Sequence, residues 1–356
     1  MSTASRLGRA AGTVAALVLA LVLALLVGGT VPRAEGPPGH DTRHDAPYDA
    51  TPVAALNQKR VVAISLDGLN PDALAKLGPA RLPHLFQLFR QGAGTTNART
   101  QVEMTVTLPN HTSMVTGRPI GVADDAHGVT WNSERAGTTV QGAAGHSVSS
   151  VFSVVRAGGG RTALFSTKSK FRLFARSWPI DRTIIREGDD TTLTRLFRAD
   201  IVANTRRFAF LHLGLADVVG HSSGWMGSAY LKAVVRLDAL VGSVMATIRD
   251  TDRLRRSTVV IVTSDHGGTP GTKSHEDPAR VENYRIPFVV WGVGVDHAGL
   301  YTLNPDFRGP GTRRPGFADP QPIRNGDLAN LATRILGLGP VPGSVWNPRQ
   351  RLTWHR

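Results

Sequence analysis

The sequence predicts an α/β fold of three layers: a mostly parallel central sheet covered by helices on both faces. Three observations carry that expectation. Apolar, β-rich runs such as Val61 to Leu66 and Thr258 to Thr263 recur along the chain, helical patterns stand between several of them, and acidic or imidazole residues follow the runs directly. In sheets of this kind ligands bind beyond the carboxyl ends of the strands, so those polar residues should gather in one place.

Taken in order, Val61 to Leu66 is a strand stopped by Asp67-Gly68, and helical patterns follow through Pro71 to Leu77 and Leu82 to Phe89. Further strands are expected at Thr162 to Phe165, at Phe208 to Leu213 leading to Asp217, at Thr258 to Thr263 leading to Asp265-His266, and at Pro287 to Trp291. The longest helix spans Met226 to Arg249, where Tyr230, Val234, Leu237, Val241, Val244 and Ile248 keep a 3.6-residue rhythm that marks a core-facing stripe. A last amphipathic helix runs from Asp327 to Leu336 and stops at Gly337. The region from Ser133 to Asp200 has weaker periodicity and more glycine, which reads as an insertion covering the site.

Composition narrows the function classes. A chain of 356 residues with 41% hydrophobic content can bury one large α/β core or two ordinary ones. The formal charge of +14 comes mostly from scattered arginine, with small clusters at Arg253, Arg255 and Arg256 and at Arg313 and Arg314. Without a basic helix or an aromatic-interleaved stripe, no specific nucleic-acid binding is expected, although the excess charge would draw anionic substrates. The absence of cysteine removes disulfides, thiol nucleophiles, thiolate zinc sites and a lipoprotein anchor.

At the N-terminus, Arg6 and Arg9 precede the apolar run Val14 to Val27, which ends in Gly28-Gly29. This pattern fits a secretory signal peptide, and Ala10 to Gly29 also just reaches the roughly 20 residues a spanning helix needs. Residues 1–29 are therefore expected to be a signal peptide or a membrane anchor acting through residues 10–29. Either makes the protein extracytoplasmic, secreted or membrane-anchored. Residues 30–58, with Pro32, Pro37, Pro38, Pro47 and Pro52, read as a disordered linker, and the catalytic domain is expected over 59–356.

The chemistry centres on Thr107-Leu-Pro-Asn-His111. Pro109 suits the first turn of a short helix ending at Gly117, which sets the Thr107 hydroxyl at a helix N-terminus, where unpaired N–H groups favour an anion. A threonine is a poor nucleophile and requires an activator. Candidates are supplied elsewhere: Asp67, Asp217 and His221 four residues apart, Asp265-His266-Gly267 after a buried strand, and His275 nine residues further on. Six carboxylate and imidazole donors suit zinc, and also manganese or iron, and suffice for two divalent ions with three ligands each. Ions in such pairs lie about 3.5–4 Å apart and lower the pKa of a bound hydroxyl.

At these residues the chain resembles the alkaline phosphatase superfamily, and within it the type I phosphodiesterase/nucleotide pyrophosphatase family. The matching features are Leu66-Asp67-Gly68, Thr107-Leu-Pro-Asn-His111, Asp217-x-x-x-His221, Asp265-His266-Gly267 and His275, and the likeness extends over residues 60 to 345. The resemblance implies a threonine nucleophile and two metal ions, zinc in this family. Asp217, His221 and His275 would hold one ion, while Asp67, Thr107, Asp265 and His266 would surround the other. It further implies that Asn132, which follows His127-Gly128, helps bind the phosphoryl oxygen. Lys170, with Lys168, follows the strand at Thr162; a cation there either meets substrate or is solvated.

The expected function is an exported metal-dependent hydrolase of phosphodiester or pyrophosphate bonds in a small phosphate ester or nucleotide. The same site would also serve a phosphomonoesterase or phosphonate hydrolase. A sulfatase fits less well, because that branch carries Cys or Ser in a Cys/Ser-x-Pro-x-Arg context where this chain has Thr107-Leu-Pro-Asn-His111. A non-catalytic exported binding protein would need a damaged ligand set, and none of the expected ligands is missing.

Overall fold

Eight strands form one sheet in the computed structural model, which describes residues 58–121, 123, 125–346 and 351–356. The expected signal or anchor segment, 1–29, and nearly all of the linker, 30–57, lie outside the described residues. The described residues belong to one compact unit. Among them no helix is long and apolar enough to cross a membrane.

The strands are β1 (Arg60–Leu66), β2 (Ala93–Arg99), β3 (Arg161–Ser166), β4 (Arg182–Ile185), β5 (Arg206–Leu213), β6 (Thr258–Thr263), β7 (Arg285–Gly292) and β8 (Ala298–Gly299), in the spatial order β4-β3-β5-β1-β6-β7-β2-β8. The run from β4 through β6 is parallel. Three neighbours at its heart, β5, β1 and β6, are the strands that lead into Asp217, Asp67 and Asp265, so their shared direction delivers the three carboxylates to one edge.

Strand alternation sorts the apolar residues into two cores. Val61, Ala63, Phe208, Phe210, Val259 and Ile261 face one side, where they pack with Leu108 and Met114 of the Thr107–Thr116 helix and Leu328 and Leu331 of the Asp327–Ile335 helix. Val62, Ile64, Leu66, Ala209, Leu211 and Val260 face the other, against Val234, Leu237 and Val241 of the Ser228–Asp250 helix and Leu193 and Phe197 of the Asp190–Ala203 helix. Each of these side chains from valine upward in size contributes roughly 1.5–3 kcal/mol by leaving water. The expected three layers are present.

One departure matters for the site. β7, expected as another strand of the repeating parallel layout, runs antiparallel to both β6 and β2. The link from Ser264 to Tyr284 contains only the short helix Val281–Tyr284 and no crossover helix. It therefore stays at the carboxyl end of β6, and Asp265, His266 and His275 all stay there with it. The segment 133–200 also takes part in the sheet, since β3 and β4 lie within it.

Candidate metal centre and nucleophile

The helix headed by Thr107 forms as the sequence suggests. Thr107–Thr116 begins after Val106 in extended backbone, carries Pro109 in its first turn, and ends at Gly117, whose φ of 67° gives the left-handed cap. Asn110 fastens the approach to the helix: its Oδ1 accepts from Gln101 N at 3.0 Å and its Nδ2 donates to Met104 O at 2.7 Å. His111 fastens the helix to the sheet, with Nδ1 2.8 Å from Thr107 O and Nε2 2.8 Å from Ser65 Oγ of β1. The same Nδ1 lies 3.5 Å from Asp265 Oδ2, which sets the Thr107 turn beside that carboxylate.

The carboxylates and imidazoles converge. Asp217, His221 and His275 present one ligand atom each within 4.8 Å of one another, and so do Asp67, Asp217 and His266. His266 Nε2 stands 3.3 Å from Asp265 Oδ2, 3.5 Å from Asp67 Oδ1 and 3.8 Å from Asp217 Oδ1. Gly68 permits the close approach of the end of β1 to Asp217, in the helix Leu215–Ser223 that follows β5. Its φ is +71°, and a Cβ there would come within 3.0 Å of both Cα and Cβ of Asp217.

Two observations decide whether these residues fit divalent ions. Asp67 Oδ1, Asp217 Oδ1, Asp265 Oδ2 and His266 Nε2 are buried without a hydrogen-bond partner, although such groups are costly to leave unpaired. Each imidazole also turns its Nδ1 to a backbone carbonyl: His266 to Gly267 O at 2.9 Å, His275 to Thr105 O at 2.5 Å and His221 to Lys273 O at 3.0 Å. That contact places the ring proton on Nδ1 and leaves the Nε2 lone pair for an ion. Oxygen and imidazole donors in this number fit two divalent cations.

The electrostatics agree. Burial alone would raise Asp67, yet Lys168 and His212 outweigh it and hold the carboxyl well below the usual carboxylate range. Burial and Asp67 work against charge on Asp217, and His221 and Lys168 overcome them and hold its pKa down. Asp265 goes the other way, pushed well up by burial and by the charge on Asp67. The Lys168 ammonium answers part of the charge on Asp67 and Asp217, while ionised Asp265 would need a further cation among the three carboxyls. Burial and the neighbouring His266 push His275 down to about 3, so its ring is neutral and suited to ligation.

Lys168 is not the solvated strand-end cation considered from sequence. Its Nζ lies 2.6 Å from Asp67 Oδ2 and 2.6 Å from Asp217 Oδ2. Lys170 Nζ donates to Asn132 Oδ1 at 2.9 Å, and Leu108 N donates to the same oxygen at 3.1 Å. Two donors on Oδ1 fix the orientation of the Asn132 amide, leaving its Nδ2 available beside the Thr107 turn. Asn132 and Lys170 are thus brought together at the N-terminus of the Thr107–Thr116 helix. Phe174 and Trp178 are buried core residues, and Trp131 faces the Arg135 guanidinium at 4.3 Å.

His212 stands outside every sequence motif described above, where no partner for it is evident. The structure gives it one: His212 Nε2 lies 2.8 Å from Asp67 Oδ2, with both side chains fully buried. A signal was available. Ser166, His212, Ser65 and Thr263 are level with one another across β3, β5, β1 and β6, a polar row near the carboxyl ends of four otherwise apolar strands.

The family model for type I phosphodiesterase / nucleotide pyrophosphatase matches residues 61–136 and 123–286, more than half of the chain. The chain belongs to this family. As a type I phosphodiesterase/nucleotide pyrophosphatase it is a hydrolase, and the candidate metal-binding clusters lie within or close to the matched residues. Among solved structures, murine ectonucleotide pyrophosphatase / phosphodiesterase 5 is similar over 83% of this chain and 100% of its own, at 15% identity with a TM-score of 0.60. An inactive variant of that murine protein in complex with AMP is similar over 80% and 96%, at 13% identity and 0.59. An alkaline phosphatase superfamily protein from Vibrio parahaemolyticus is similar over 82% and 69%, at 13% identity and 0.52. These likenesses establish the alkaline phosphatase superfamily fold for this type I phosphodiesterase. A curated relative, GPI ethanolamine phosphate transferase 1 of Neurospora crassa, is 38% identical over 92 residues, which are 26% of this chain and 9% of that protein's length.

Proposed function

We propose that the chain is an exported, two-metal phosphodiesterase in which Thr107 attacks phosphorus in a diester or pyrophosphate. The observation that carries this reading is the convergence of four unpaired buried ligand atoms, on Asp67, Asp217, Asp265 and His266, beside the helix headed by Thr107. Divalent ions, zinc by the family resemblance, would supply Lewis acidity, favouring an ionised hydroxyl and offsetting charge that grows on phosphoryl oxygens. Asp217, His221 and His275 would hold one of them, and Asp67, Asp265 and His266, with Thr107, the other.

The chain's own residues then divide the remaining work. Thr107 Oγ1 forms a P–O bond as the bond to the leaving oxygen breaks, giving a phosphothreonine ester that water hydrolyses in a second displacement. Leu108 N is committed to Asn132 Oδ1, Pro109 has no N–H and Asn110 N bonds Val106 O, so the Nδ2 amide of Asn132 and the Thr107 N–H are the donors that would stabilise the transferred group's oxygens. His111 and Asn110 hold the Thr107 turn against β1 and the loop before it, so the hydroxyl is oriented before substrate arrives.

A nucleotide or other small phosphate ester is the proposed substrate, in keeping with the AMP bound by the murine structural neighbour. A second reading, a phosphomonoesterase or phosphonate hydrolase, draws support from Lys170, whose ammonium lies at Asn132 and would favour a more highly charged transferred group. Export is supported by Arg6 and Arg9 before the apolar run Val14 to Val27, which would act as a signal peptide or anchor.

Parallel assays with bis-p-nitrophenyl phosphate, p-nitrophenyl phosphate and a dinucleotide, with zinc and with EDTA, test the proposal. Zinc-dependent turnover favouring the diesters is expected. A monoester preference moves the assignment to the second reading, and turnover untouched by EDTA contradicts the two-metal site.

A further inference from the structure

His212 belongs to none of the motifs that mark the site, yet it is the residue packed most directly behind Asp67. The ring is fully buried, lying 4.4 Å from the Phe171 ring and 5.0 Å from the His111 ring between centroids. Its Nδ1 faces Ser166 Oγ at 3.1 Å and Thr167 Oγ1 at 3.3 Å, both at the end of β3. Its Nε2 faces Asp67 Oδ2 at 2.8 Å. A hydroxyl can donate to Nδ1 while Nε2–H donates to the carboxylate, so one neutral tautomer satisfies both ends of the ring. Flanking rings on one side and strand-end hydroxyls on the other leave the imidazole no room to turn.

The consequence falls on Asp67. Oδ2 accepts from His212 and from Lys168, whereas Oδ1 is buried with no hydrogen-bond partner and stands 3.5 Å from His266 Nε2. The two donors differ in stiffness. Lys168 reaches Oδ2 on a flexible four-carbon stem and shares its ammonium with Asp217, while His212 is locked in the wall of the sheet. Removing His212 would leave the Asp67 carboxylate free to rotate about its χ2 and follow the lysine.

We propose that His212 is a positioning residue for Asp67: by fixing Oδ2 it aims Oδ1 at the ion shared with Asp265 and His266. This rests on the two-metal reading above. Histidine usually meets a metal as a ligand oriented by a carboxylate; here the order is reversed, and the imidazole orients the ligating carboxylate. Partners of this outer kind typically change metal affinity by about 10- to 100-fold.

The test is zinc binding by the full chain, measured by calorimetry in competition with a chelator, with folding checked by circular dichroism. Wild-type protein is expected to take up two ions. His212→Phe keeps the ring volume without the donor, and His212→Asn has an amide too short to reach Asp67. Each should weaken one of the two ions by about 10- to 100-fold and leave the other within about 3-fold. His212→Gln can place its amide donor near the position of Nε2 and should recover most of the loss. If the phenylalanine variant does not fold, the asparagine and glutamine variants give the same comparison. Wild-type affinity in the phenylalanine or asparagine variant, or a glutamine variant as weak as asparagine, overturns the proposal. A wild-type chain that binds no zinc, or an Asp67→Asn chain that binds it as wild type does, instead overturns the two-metal reading itself.

Discussion

His221 and His275 face each other Nε2 to Nε2 at 3.2 Å, while the Nδ1 of each is turned to a backbone carbonyl. With both ring protons committed to those carbonyls, two lone pairs point at one spot, and Asp217 Oδ1 lies 3.4 Å from the first nitrogen and 3.7 Å from the second. A divalent cation satisfies all three atoms at once. His275→Asn should therefore remove one ion and spare the other. Elemental analysis after dialysis is expected to find about one zinc per chain in the variant against two in wild type, and an unchanged ratio would contradict this ligand set.

Asn132 tests the phosphoryl-binding role without touching a ligand. Its Oδ1 is already occupied by Leu108 N and Lys170 Nζ, so the group lost to substrate in Asn132→Ala is the Nδ2 donor. Removing one preorganised donor of this kind costs on the order of 10²- to 10³-fold in kcat. Zinc content should stay at the wild-type value, while loss of the bonds from Leu108 N and Lys170 should cost only about 1–2 kcal/mol of stability. A kcat within a few-fold of wild type would remove Asn132 from the site.

Stability should carry a pH signature away from the metal centre. Asp327 is buried at the start of its helix, accepting from Arg324 N at 2.7 Å, and burial pushes its carboxyl up to about 7 despite that bond and the Arg324 charge. Between the unfolded value of 3.8 and about 7 the folded state keeps the proton and the unfolded state gives it up. Stability contributed by this group is complete below the unfolded value and is lost as pH rises through the folded one. In EDTA, urea titrations of wild type should lose up to about 1.4 kcal/mol per pH unit across that window relative to Asp327→Asn. Parallel pH profiles for the two proteins would show that Asp327 does not titrate there.

Much of this architecture was legible because its strands are short apolar runs closed by polar residues. β1, β5 and β6 and the carboxylates after them follow from that pattern alone, as does the helix that stops at Gly117. Two features were not legible. β2, Ala-Gly-Thr-Thr-Asn-Ala-Arg, has no apolar alternation; it is held by its ladder to β7 and by the Arg99 side chain bonding Arg313 O and Gly311 O, neither of which a local window contains. The partner of His212 was hidden for the same reason, since Asp67 is 145 positions away and only the β1–β5 pairing brings them together. Asp238 is likewise tied to a distant element: it is buried and caps the Pro83–Gln91 helix from outside, accepting from Leu85 N at 2.7 Å.

The central claim is that Thr107 is the atom donor to phosphorus, and turnover of Thr107→Ala with both ions bound measures it most directly. Thr107 heads its helix and is buried, so alanine keeps the helix and the packing of Leu108 and Met114 beneath it. We expect a folded variant with wild-type zinc content whose turnover of bis-p-nitrophenyl phosphate falls by at least about 10³-fold, as for removal of a covalent nucleophile. A zinc-loaded Thr107→Ala chain that turns over the diester within 10-fold of wild type, a margin of about 1.4 kcal/mol, would contradict the account.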